Sequence, residues 1–178
     1  MMPIFTACQR FSPQSGDAWL SYIEWSGLRH IEELVSMDSI LCPSLIDQPD
    51  GADWDFNIHA DYRCHWFHDY KYLKLRINYD PSRHNLLAIS ECPTEAPEPI
   101  DQFTFCGYDI LDLRDSVSVL TNCGGFPEIF SANDLNQFGL IANLGRVTEI
   151  AETIRLKEPD YHCCDCRVWG IARYSDIK

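Results

Sequence analysis

Basic residues are scarce in this chain. There are 14 Lys and Arg against 27 Asp and Glu, a formal charge of −13. Nucleic-acid binding rests largely on neutralising phosphates, so no nucleic-acid partner is expected. Attraction to an anionic membrane is disfavoured for the same reason. No run of 18 apolar residues occurs, so no membrane span is expected. The first residues, Met1 to Arg10, contain no apolar stretch of signal-peptide length. Also missing are a P-loop, a GxGxxG after a strand, a GxSxG elbow, an HExxH and an EF-hand loop. Their absence counts against the common enzyme classes. No cofactor is expected.

Other features are plentiful. Hydrophobic residues make up 46% of the chain and aromatics 12%, which excludes a disordered composition. With 178 residues, the length suits a single globular domain over 1–178 that can bury a full core. Nine cysteines are many for this length, and their number is odd. Together with the missing signal peptide, they read as reduced thiols in a cytoplasmic protein, several serving as small buried hydrophobes.

Periodicity predicts the elements. Trp19, Leu20, Tyr22 and Ile23 form a helical stripe after Asp17, ended by Gly27. Leu28, Ile31, Leu34 and Val35 predict a second helix. Residues 47–55 hold four acids, a proline and a glycine, and predict a loop. Leu73, Leu75, Ile77 and Tyr79 alternate with Lys74, Arg76 and Asn78, which predicts a strand over 72–79. A hairpin then leads to a second strand through Leu86–Ile89. The segment 91–101 is acidic and carries three prolines, so it predicts a surface loop. Phe103–Leu113 predicts a strand with a bulge at Gly107, and Ser116–Thr121 a short extended piece. Ser131 and Asp134 predict a short capped helix carrying Leu135 and Phe138, stopped at Gly139. Val147, Ile150, Ala151 and Ile154 mark a helix over 144–156. A last strand runs from Cys163 to Tyr174. This order predicts an α+β fold, a mainly antiparallel sheet with helices packed on one face.

Three segments carry chemistry-capable residues. His59, His65 and His68 stand with Asp55, Asp61, Cys64 and Asp69 in one stretch. Imidazoles and carboxylates suit zinc or iron, and three of them with an open position would suit metal-dependent catalysis. The spacing matches no specific metal motif, and an aromatic-rich core segment is the plainer reading. His162, Cys164 and Cys166 would share one face of a strand and could hold structural zinc. That face continues through Val168 and Ala172, which favours buried thiols. Cys123 precedes Gly124-Gly125, where turn amides could form an oxyanion hole for a thiol-dependent enzyme. No partner histidine is identified, and a Gly-Gly pair followed by Pro127 reads first as a turn.

The leading expectation is therefore an acidic binding or inhibitor protein that meets a basic protein partner. A bacterial immunity protein that neutralises a basic toxin or enzyme is of this kind. The expected contact face comprises the two acidic segments, with Asp47, Asp50, Asp53, Trp54 and Asp55 in the first and Glu95 and Glu98 in the second. The four aspartates of the first segment have no basic residue among them, so they are expected to be solvated and mutually repelling.

Overall fold

Four antiparallel strands build the sheet: β1 (Ile4–Gln9), β2 (His84–Glu91), β3 (Phe103–Leu111) and β4 (Arg167–Tyr174), in the order β1-β2-β4-β3. Among the described residues, four α-helices accompany it: α1 (Asp17–Ser26), α2 (Gly51–Phe56), α3 (Tyr70–Arg76) and α4 (Leu144–Lys157). The structure, a computed structural model, describes residues 3–58, 66–112, 116–123, 128–157 and 165–176. The α+β class and the antiparallel sheet agree with the sequence reading.

Both faces of the sheet are covered. Along β2, Leu86 and Ala88 enter one apolar cluster while Leu87 and Ile89 enter the other. The larger cluster takes Val147, Ile150, Ala151 and Ile154 of α4 and Trp19 and Tyr22 of α1. The smaller cluster takes Phe5 and Ala7 of β1, Tyr174 of β4 and Leu73 of α3. Burial on both faces explains why β1 was not foreseen, since Phe5, Thr6, Ala7 and Cys8 are all buried and show no alternation.

The strand expected over 72–79 is instead α3, and the hairpin it was to form does not exist. The Asp69 carboxylate accepts from the amides of Lys71 and Tyr72 and starts a helix there. Of the alternating leucines only Leu73 is buried, while Leu75 is 82% exposed. The helix places Tyr72 and Arg76 one turn apart on a common side. β2 pairs with β1 instead, from Ile4↔Ile89 to Gln9↔His84.

The helix expected over 28–35 is also absent. Leu28, Ile31, Leu34 and Val35 are buried as their pattern requires, but in an irregular chain. Its amides bond to distant carbonyls: Leu34 to Phe11, Val35 to Phe138, and Glu32 to Gln137. Tertiary hydrogen bonds replace the i to i−4 ladder. Likewise, 51–56 is helical where a loop was expected, and the helix after Ser131 is only the 3-10 turn Ala132–Asp134.

Gly107 sits at the foreseen bulge, where the β3–β4 register shifts between Phe105 and Gly107. Its φ is +138°, and a Cβ there would lie 2.8 Å from Leu140 Cβ. β4 begins at Arg167, and residues 163 and 164 lie outside the described residues.

A buried polar knot ties the segments 36–42 and 118–122 to β3. Asp109, Asp38 and Ser118 have no exposed surface. The Ser36 and Ser118 hydroxyls donate to the Asp109 carboxylate. Asp38 accepts from the amides of Ile40, Leu41 and Ser118 and from the Asn122 side chain. Every carboxylate oxygen of this pair is engaged, which is what burial demands.

Candidate interaction face

Both acidic segments border the smaller cluster. Ile46, immediately before 47–55, is buried in it, and Ile100, near the end of 91–101, packs against it. α3 has contacts toward both. At its start the Tyr70 hydroxyl reaches Gln102 at 3.2 Å and the Tyr70 ring packs edge-on to Phe103. At its end Arg76 reaches α2.

α2 is held by a capping box. Asp50 accepts from the amides of Ala52 and Asp53, and Asp53 accepts from the amide of Asp50 at 2.8 Å. Asp53 also receives the Tyr72 hydroxyl at 2.8 Å and the Arg76 guanidinium at 3.2 Å. Its side chain has no exposed surface. Burial raises its pKa, but the Asp50 amide, Tyr72 and Arg76 together outweigh burial and hold it below the usual carboxylate range. Arg76 also pairs with Asp50 at 3.4 Å.

This corrects the expectation of four solvated aspartates without countercharge. Asp53 is an internal anchor, and Arg76 supplies the missing positive charge. Asp47, Asp50 and Asp55 are exposed, as are Glu95 and Glu98. Trp54, on α2 with Asp55 next to it in the chain, is 57% exposed. Leu75, on α3, adds a second exposed apolar side chain that sequence reading had assigned to the core. The signal for α3 was present in Asp69, a good N-cap residue, but the period-2 pattern was the louder one.

The other candidates fare differently. Cys123 is buried, and residues 124–127 after it lie outside the described residues. His59, Asp61, Cys64, His65, His162 and Cys164 also lie outside them. His68 is half-buried, and its backbone amide donates to Asn57. Cys166 is a core thiol with Sγ 4.0 Å from the Ala151 carbonyl, and burial pushes it up to about 11. Cys163 and Cys166 also stand in CxxC spacing, a signal the strand reading passed over. Among the described residues, no group of three His, Cys, Asp or Glu side chains is placed to hold a metal. Cys8, Cys42, Cys92, Cys106, Cys123 and Cys166 carry free thiols. No described helix is long and apolar enough to cross a membrane. Comparison with protein-family models, curated proteins and solved structures finds no match.

Proposed function

We propose that this chain is an acidic binding or inhibitor protein that engages a basic protein partner through α2, α3 and the acidic segment 91–101. A bacterial immunity protein acting on a basic toxin or enzyme is the nearest functional type. The observation that carries this reading is Trp54, 57% exposed among solvated carboxylates on a helix whose ends are tied down. Tryptophan is among the residues enriched at the energetic centres of protein interfaces. A helix locked by Asp53 loses little further freedom on binding, which favours affinity. The surrounding carboxylates raise the encounter rate with a cationic surface. The reading includes a cytoplasmic location, supported by the free thiols.

The test is a photo-crosslinking residue placed at position 54 in cells of the source. A control goes at Leu156, which is 81% exposed on α4. The expected result is a basic protein crosslinked from position 54 and not from 156. Its association rate should fall steeply with salt and slow when Asp50 and Asp55 become Asn. A partner captured equally from both positions, or one whose association ignores salt, would refute the reading.

A further inference from the structure

A polar pocket of about 260 Å³ opens where the end of β1 meets the turn that leads into β2. None of its nine lining residues is acidic, in a chain with 27 acids. Among them are Arg10, Arg83 and His84, with Gln9, Gln14 and Ser82. Arg10 is fixed in place. Its Nε and one terminal nitrogen grip the two oxygens of Glu33 at 2.8 and 2.7 Å, and its other terminal nitrogen donates to the Pro81 carbonyl at 2.6 Å.

Glu33 does not cancel this charge alone. Its side chain is 7% exposed, and Arg173 shares it at 2.7 Å. One carboxylate therefore serves two guanidiniums. Arg83 adds a third cation, exposed and without a side-chain ion pair among the described residues. Asp80 contributes one negative charge, but its carboxylate is turned onto the amide and hydroxyl of Ser82. The local balance stays positive inside a protein of net charge −13.

The neutral groups also present donors. His84 Nδ1 accepts from the Asp80 amide at 3.1 Å, so the ring proton sits on Nε2. The Gln14 carbonyl accepts from the Ser12 hydroxyl at 2.6 Å, which leaves its NH₂ to donate. A pre-positioned guanidinium, a second exposed one and surrounding N–H groups form a receptor for anionic oxygen. The volume lies just under that of typical ligand pockets, so the ligand is small.

We propose that this pocket binds a small multivalent oxyanion, either a phosphomonoester or a polycarboxylate. The shared chemistry is two or more charges carried on oxygen, and this inference does not depend on the partner-face reading. The test is an NMR and calorimetric titration with inorganic phosphate and, separately, with citrate at constant ionic strength. Saturable binding of at least one, centred on Gln14, Ser82, Arg83 and His84, is expected. Saturation by phosphate alone assigns a phosphoryl ligand, and saturation by citrate alone a polycarboxylate. Arg83→Glu, whose side chain holds nothing else together, should weaken binding by about tenfold or more. Arg29→Glu, an exposed cation outside the pocket lining, should bind as the parent does. Failure of both probes to saturate, or undiminished binding by Arg83→Glu with its fold intact, would overturn the proposal.

Discussion

Replacing Asp109 by Asn should make the protein more stable, and by an amount that depends on pH. Burial raises the Asp109 carboxyl from 3.8 to about 7, against the opposing hydrogen bonds of Ser36, Ser118 and the Ile110 amide. Asp38 adds a smaller push in the same direction. In the unfolded chain the group returns to about 3.9. Between those two values the native state holds a proton that the unfolded state has released. Stability therefore falls as pH rises through this window, by about 1.4 kcal/mol per pH unit. Above the folded pKa the loss levels off at about 4 kcal/mol. Asparagine carries no charge. Its carbonyl can accept from Ser118 and Ile110, and its NH₂ can donate to Ser36 once that hydroxyl turns. The gain should thus be larger at about pH 8 than at about pH 5, by about 2 to 3 kcal/mol. Urea unfolding followed by tryptophan fluorescence at both pH values measures this directly. Equal gains at the two pH values, or a loss at the higher one, would refute the reasoning.

Other outcomes follow from the same structure. Asp53→Asn should cost about 2 kcal/mol at neutral pH, because it removes the buried charge that Arg76 and the Tyr72 hydroxyl bond to and leaves Arg76 only the exposed Asp50. The Asp53 pKa is lowered in the fold, so that cost should shrink as pH falls through the carboxylate range, as paired unfolding curves would show. Gly107→Ala should lower stability by about 2 kcal/mol or more, since it combines φ of +138° with a Cβ 2.8 Å from Leu140; a thermal melt reads it. Alkylation mapped by mass spectrometry should label Cys92 in the native protein but Cys8 and Cys42 only in denaturant. Burial pushes the Cys8 thiol to about 12 and that of Cys42 well above its ordinary value.

Much of the fold was legible where the local apolar pattern is strong, as a single stripe in α4 or an unbroken run in β2. Val147, Ile150, Ala151 and Ile154 identified α4, and the chain around Leu86–Ile89 identified β2. Gly107 identified its bulge. Reading failed for β1, whose buried Phe5, Thr6, Ala7 and Cys8 show neither alternation nor a long apolar run, and where the decisive bonds were long-range. Residues 28–35 have a helical apolar pattern, but Phe11, Gln137 and Phe138, far away in sequence, take their hydrogen bonds. In 72–79 the leucines suggested a strand, while Asp69 and the pairing of Tyr72 and Arg76 with Asp53 decided for a helix. The same blind spot affected the candidate face. Its acidity and Trp54 could be read from 47–55 alone, but the countercharge from Arg76 lies 23 residues beyond Asp53. The pocket beside Arg10 left no local trace, because it joins residues 9–15 to 82–84.

The inner position of β4 has a consequence for biosynthesis. This strand lies between β2 and β3, yet it emerges from the ribosome after both. Until Arg167–Tyr174 has been synthesised, β2 and β3 cannot be bridged, and each holds an open row of amides and carbonyls toward the gap. Those rows are the surfaces on which a strand from a neighbouring nascent chain would pair. The sheet closes late, by insertion of one segment into a waiting slot, and its contacts span most of the chain, a topology associated with slow folding. The interval between the synthesis of β3 and the arrival of β4 is therefore the period in which the edges of β2 and β3 are most open to mispairing.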